Sequence, residues 1–470
     1  MKKRILPYAF FIALLTCTVA CSSDDNNLTN VTTDGFKEIA PSVASPLIQP
    51  TGFYIANEDW FGHDNGSINF LDYQYNPTYR IYTEANGNKT LGVTTTYAVA
   101  FGENYYIVSK QGNRLVVTDK NFKEVKSFTD TLGDGRAFVG ISDTKGYIST
   151  IAGITIYNIS TKTIERKIDG ITKQTGNMVY VDGKVYAVVQ GEGLVIIDTH
   201  TDRIIDKMNG GYTQVTLDKN GIVWAGKGNE LVRINPMDTK DTKTYAIANA
   251  PINGTWGAWN PGSLTSSMQE DALYWTTANK VVKFNTTSEE LNTDFHTLGE
   301  DETKIKLAFY GGGLRVDPVK GDLVLLIKRN GWGDSGSYNW TRIISKDGAL
   351  KKEIFMQGGT NNDKNGYYWF PSIPFFQDNN SPEILANQFV LKPQTTLRVP
   401  LKDLVVDQDN SNLLIEKQVE EIDKEFGTVV LEGNELILKA KSKLGKTTLT
   451  MKAISNGKSI TKVIDIWIRN

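Results

Sequence analysis

Apolar residues along this chain come in runs of five or six that end in Asp or Asn and are followed by a polar turn. The runs are Ile68-Asn69-Phe70-Leu71-Asp72, Leu115-Val116-Val117-Thr118-Asp119 and Ile154-Thr155-Ile156-Tyr157-Asn158. They continue with Leu194-Val195-Ile196-Ile197-Asp198, Leu231-Val232-Arg233-Ile234-Asn235 and Val281-Val282-Lys283-Phe284-Asn285, and a looser one, Thr341-Arg342-Ile343-Ile344-Ser345. Each is too short for a buried helix and rich in β-branched residues, so each reads as a strand. They recur roughly every 37 to 60 residues, the spacing of β-propeller blades.

The fourth unit shows the whole repeat. Asn177–Val181 leads through Asp182-Gly183 into Lys184–Val189, then through Gln190–Gly193 into the run ending at Asp198. A turn at Thr199–Asp202 precedes Arg203–Lys207. Four strands per unit around a common axis define a propeller. The first unit has three strands: Phe53–Glu58, Ser67–Asp72 and Tyr79–Thr83. It lacks an innermost one. Tyr367–Asp378 is an apolar segment without a blade of its own. It is expected to supply that strand and close the ring, although its prolines suit a central strand poorly.

After Ser381-Pro382 the runs shorten, with turns at Glu432–Asn434 and Ser455–Gly457. The predicted fold class is therefore all-β: a seven-bladed propeller over 46–381, then a small immunoglobulin-like β-sandwich over 382–470.

The amino terminus adds a compartment. Lys2-Lys3-Arg4 precedes an apolar stretch from Ile5 to Ala20, of signal-peptide length, ending Thr18-Val19-Ala20-Cys21. This resembles a bacterial lipoprotein signal over 1–20, with Cys21 as the lipidated residue; Cys17 fits less well. Ser22-Ser23-Asp24-Asp25 resembles the export signal of Bacteroidetes surface lipoproteins. Residues 21–45 are expected to be a flexible tether with a reach of roughly 30 Å.

Charge gives 51 basic against 53 acidic residues, so nothing draws the chain to nucleic acid. Both Cys lie before residue 22, which excludes disulfides and Cys metal sites in the body of the chain. The three His, at 63, 200 and 296, form no zinc spacing. Gly311-Gly312-Gly313 does not lead a helix, so it is a poor phosphate loop. Asp407-Gln408-Asp409-Asn410 supplies too few oxygens for a calcium loop and reads as a polar turn. No metal or cofactor is implied, and no catalytic group stands out.

Aromatic residues carry the better signal. In a blade, the loop between second and third strands shares a face with the connections between blades. That rule puts Trp60, Phe61 and His63 in the blade-one loop and Trp332, Tyr338 and Trp340 in or beside the blade-seven loop. It puts Tyr97, Tyr212, Trp256, Trp259, Tyr310, Tyr368 and Trp369 at the connections; Arg136 joins the set. Aromatics gathered on one exposed face mark a binding site. About half of these are expected to be wedges between blades.

Asn57-Glu58-Asp59-Trp60-Phe61-Gly62-His63-Asp64-Asn65-Gly66-Ser67, with the seven degenerate blades and the lipoprotein start, resembles the BtuG-type surface lipoproteins of Bacteroidetes, a YncE/YVTN-like propeller family. The resemblance implies a non-enzymatic, lipid-anchored protein exposed on the outer membrane. It implies a corrinoid ligand such as cobalamin and a TonB-dependent outer-membrane transporter of BtuB type as partner. Other readings are a glycan or siderophore bound on the same face, a propeller lyase or hydrolase, and an adhesion protein that uses the sandwich.

Overall fold

A computed structural model describes residues 32–33, 36–41, 43–254, 261–358 and 367–470. The signal segment with Cys21, most of the expected tether, and Trp256 and Trp259 lie outside the described residues.

Seven four-stranded antiparallel sheets form the blades. The Asp- or Asn-terminated runs are the third strands of their blades. The terminal side chain explains why each run stops. Asp72 accepts from the backbone N–H groups of Gln74 and Asn76, Asp119 from Asn121 and Lys123, and Asp198 from His200 and Thr201. Asn158, Asn235 and Asn285 accept likewise from Thr161, Met237 and Thr287. These Asx turns satisfy the backbone at the switch into the outermost strand.

Blade one is closed as expected. Pro371–Phe376 pairs with Gly52–Asn57, which pairs with Ser67–Asp72. Both prolines are tolerated because the strand is innermost and pairs on one side only. The expected outer strand over Tyr79–Thr83 is corrected. The outer strand is the two-residue Pro77–Thr78, and Ile81–Ala85 is a short helix. Tyr82 is fully buried beneath it, with Ile81 and Ala85 packed alongside. Arg80 takes φ 52° and turns its guanidinium back to Asp64, at 2.7 Å. One buried ring and one ion pair thus outweigh the β-branched character of the run.

The carboxyl-terminal part is a two-sheet sandwich of four and five strands around its own core, which includes Phe389, Leu436, Leu449 and Ile464. Two strands from the amino-terminal side complete it. Thr32–Thr33 pairs with Thr396–Pro400, and Phe36–Pro41 pairs with Ala386–Leu391. The tether expectation is therefore corrected over 32–33 and 36–41, which form edge strands of the two sheets.

The sandwich packs on the propeller face that carries the turns between first and second strands. Gly102 N–H donates to the Asn456 carbonyl, Ser411 Oγ donates to the Lys219 carbonyl, and Lys452 reaches Asp143 at 3.7 Å. Lys458 pairs with Asp378, immediately after the closing strand. One end of the central channel is thereby covered, leaving a cavity of about 370 Å3 lined by Tyr97, Arg315, Asn410 and Asn456 among others. Among the described residues, no module packs on the opposite face.

Candidate functional site

The open face is organised by the blade-one loop and the segment that precedes the closing strand. Glu58 N–H donates to the Phe370 carbonyl at 3.2 Å and Asp59 N–H to the Trp369 carbonyl at 3.0 Å. The two chain ends of the propeller are thus stitched together where the loop begins. Asp59 and Phe370 both sit at positive φ, 54° and 40°. Such strain persists where the surroundings fix it, and it collects at functional sites.

The loop then folds on itself. The N–H groups of His63 and Asp64 both donate to the Trp60 carbonyl at 2.9 Å, with Gly62 at φ 81°. The Trp60 ring is sandwiched: His63 stacks on it at 3.7 Å between centroids, and Tyr368 at 4.4 Å. Asp59 is buried and accepts from Ser67 Oγ at 2.7 Å. Burial pushes its carboxyl well above the usual carboxylate range, against the pull of Arg80 at 3.5 Å.

A second aromatic wall comes from blade seven. Tyr310, Trp332 and Phe370 meet with centroids 5.4–6.2 Å apart. The close approach depends on a glycine: a Cβ on Gly336 would lie 2.2 Å from the Phe370 ring. The Tyr310 hydroxyl donates to the Glu58 carboxylate at 3.0 Å, linking the two walls.

Between the walls lies a cavity of about 460 Å3, lined by Glu58, Asp59, Trp60, Phe61, Thr94, Lys110, Tyr310, Trp332, Gly333 and Phe370. A second, of about 270 Å3, adjoins it through Tyr310 and Trp332 and is more polar, with Gln214, Asn253 and Ser263. Phe61 is 60% exposed and Trp332 66% exposed, at the rim. Lys110 lies 6.0 Å from the Phe61 ring.

Of the aromatic set read from the sequence, the structure brings Trp60, Phe61, Tyr310 and Trp332 to the cavity, with His63 and Tyr368 on either side of Trp60. Trp256 and Trp259 lie outside the described residues, and the rest are corrected. Tyr97 is inside the inner strand Val93–Phe101, not a connection, and lines the channel cavity at the sandwich end. Tyr212 is buried as a wedge between blades four and five. Trp369 is 1% exposed, stacked with Tyr79 and Tyr367 and donating to the Gln357 carbonyl. Trp340 is on the third strand of blade seven against Phe355, and Tyr338 lies under the Arg329 guanidinium at 3.5 Å. Arg136 is buried; it donates to the Gly135 carbonyl and to Gln174. The residues not foreseen are Glu58, Asp59, Thr94, Lys110, Gly333 and Phe370.

The other candidate chemistry stays outside this site. His296 lies in the outer strand Leu291–Thr297 beside Arg342, with its pKa held down first by burial. Asp409 is occupied by the N–H groups of Asn379 and Asn380 and by the Asn380 amide. Among the described residues no group of three His, Cys, Asp or Glu could hold a metal ion. Among them too, no helix is long and apolar enough to cross a membrane.

The fold class is thus an all-β seven-bladed propeller with a sandwich packed on one face and an aromatic cavity on the other. Residues 51–377 match the family described as a domain of unknown function (DUF5074), and this chain belongs to it. No curated protein matches the sequence. Among solved structures, one similar chain is described as a quinonprotein alcohol dehydrogenase-like protein (BT1487) from Bacteroides thetaiotaomicron. It is 16% identical, with a TM-score of 0.54 over 70% of this chain and 78% of that one, and it shows the fold alone. The extracellular domain of a hybrid two-component system, BT4673, from the same organism is 13% identical, with a TM-score of 0.43 over 88% of this chain and 63% of that one. PorZ, a surface component of the type-IX secretion system of Porphyromonas gingivalis, is 14% identical, with a TM-score of 0.39 over 79% and 46%.

Proposed function

We propose that this protein is a non-enzymatic capture protein that binds a corrinoid, cobalamin or a relative, on its open face and passes it to a TonB-dependent outer-membrane transporter. The BtuG-type resemblance of the blade-one loop motivates the ligand class. The observation that carries the reading is the pair of cavities that adjoin at Tyr310 and Trp332, the first walled by Phe61 and the second by polar side chains. A corrinoid is broad, with apolar edges and a rim of amides. It would meet ring faces in one cavity and the Gln214, Asn253 and Ser263 side chains in the other. No step requires a protein ligand to cobalt. The lipoprotein start would hold the protein on the outer membrane, exposed at the cell surface and beside its transporter.

Calorimetric titration of the purified protein with cyanocobalamin tests this. Saturable binding is expected. No heat and no spectral change at micromolar concentrations would remove the corrinoid reading and leave a glycan or siderophore to be screened on the same face.

A further inference from the structure

Lys328 is the charged residue at this site that the cavity itself does not explain. It lies in Leu323–Arg329, the second strand of blade seven, and is 4% exposed. A lysine so deeply buried is rare unless something holds its ammonium. Here Nζ donates to the Arg329 carbonyl at 2.9 Å and to the Gly331 carbonyl. It also lies 5.4–5.7 Å from the ring centroids of Tyr310, Trp332 and Phe370, the three aromatics of the second wall. Each contact acts on a different part of the site. The carbonyls belong to the loop that presents Trp332, and the rings form the wall.

The two ends of the loop are pinned by backbone bonds: Asn330 N–H donates to the Lys306 carbonyl at 2.8 Å and Arg329 N–H to the Tyr338 carbonyl at 2.9 Å. Gly331 and Gly333, on either side of Trp332, adopt φ 108° and 59°. Glycines on both sides make the backbone at Trp332 the most permissive part of the loop, so its ring contacts with Tyr310 and Phe370 have the most to gain from a further anchor. A buried ammonium adds directional bonds and ring attraction, which is worth more when desolvated than at a surface.

We propose that Lys328 is a positioning residue of the aromatic cavity: its ammonium ties the Arg329–Gly331 backbone to the faces of Tyr310, Trp332 and Phe370 and so fixes Trp332 in the orientation that receives ligand. This rests on the proposed binding role of the open face, but the ordering of Trp332 is measurable without any ligand. Burial pushes the ammonium down to about 8, so alkaline pH should release the loop. The other titratable and charged groups on the elements packed here are Glu58, Asp59, His63 and Asp64 of the blade-one loop, Lys110 across the cavity, Tyr310 of the inner strand, and Lys306, Arg329 and Asp334 of blade seven. Glu58 is bonded to Tyr310, Asp59 to Ser67, and Arg329 to Asp301 at 2.6 Å.

The experiment uses the purified protein labelled with 5-fluorotryptophan, with Trp332→Phe identifying the Trp332 fluorine signal. In the wild type that signal is expected to move between pH 7 and 9. Lys328→Met, which keeps the stem length, should shift the signal at pH 7 and flatten the titration; Lys328→Arg should restore part of it. Lys328→Met should also weaken cyanocobalamin binding at least tenfold. A Trp332 signal that is constant from pH 6.5 to 9.5 in the wild type, or identical and equally pH-dependent in Lys328→Met, overturns the proposal. Should Lys328→Met fail to fold, the wild-type titration decides alone. If Trp332 responds as expected while cyanocobalamin does not bind, the positioning role stands and the corrinoid reading falls.

Discussion

The two faces of the propeller handle polar and aromatic groups in opposite ways. On the sandwich side, Lys458 pairs with Asp378 and donates to the Asp378 and Asn380 carbonyls, while Asn456 bridges Asp378 and the Ala100 carbonyl. Lys458, Asp378, Asp407 and Asp409 are all buried, and the contacts close on one another. On the open side, two large rings stand exposed at a rim, and the cavity-lining residues Asp59, Thr94 and Phe370 hold positive φ. Polar groups buried with their partners lock two modules together; apolar groups left in water await a partner. The same fold thus carries a face locked to the sandwich and a face with an exposed aromatic cavity, which the proposed function takes as the binding face, and mutations should separate them.

The largest effect should come from the structural face. Lys458→Met leaves the Asp378 carboxylate buried without its cation and should cost about 3–5 kcal/mol. Chemical denaturation measures this, and cyanocobalamin affinity of the folded fraction should be unchanged. A loss of affinity equal to the loss of stability would show that the two faces are not separable.

Next is a residue buried between blades one and seven. Trp369 lies under the open face but is fully enclosed, so Trp369→Ala should destabilise by about 3–5 kcal/mol through lost packing. It should affect binding only secondarily. Gly336→Val forces the Phe370 ring to move and should cost about 1–3 kcal/mol. It should also weaken binding, because Phe370 is a wall of the cavity.

A pH effect distinguishes the structural face further. Burial, with the hydrogen bond to Asp409 next, pushes the Asp407 carboxyl up to about 7. An acid raised in the folded state binds its proton more tightly there than in the unfolded chain. Its contribution therefore favours folding at low pH and is lost as pH rises from about 4 towards 7. Asp407→Asn should remove that slope: unfolding curves of the two proteins should diverge progressively over this window and run parallel above it. Parallel behaviour throughout would mean that Asp407 is not protonated in the fold.

The smallest stability effects belong to the rim. Trp332→Ala and Phe61→Ala should change stability by no more than about 0.5 kcal/mol, as surface substitutions do. Trp332→Ala should nonetheless cost about 2 kcal/mol of binding, as a buried aromatic anchor does, and Phe61→Ala less.

Much of the architecture was legible because it is periodic. The Asp- or Asn-terminated runs mark third strands since the same side chain that ends the strand makes the next turn. The closing strand was legible as an apolar segment with no blade of its own. The binding face was only partly so. Loop position placed Trp60, Phe61 and Trp332 at the rim, but an aromatic at a blade connection looks the same whether it faces water or wedges between sheets. Tyr212 and Trp369 took the second course. Tyr97 was misplaced because the inner strand of blade two runs through it. Phe370 and Lys328 gave no signal: one lies in an apolar run, and the other follows one beside Arg329, where a solvated strand end is the ordinary reading. Their roles arise from contacts between blade one and blade seven, far apart in sequence.

Hydrogen exchange with and without cyanocobalamin tests the two-faced account most directly. The account predicts protection confined to amides around residues 60–66 and 331–338, with no change in the turns at 102, 219 and 456 that meet the sandwich. Protection at those sandwich-facing turns, with the Trp60 and Trp332 loops unaffected, would contradict it.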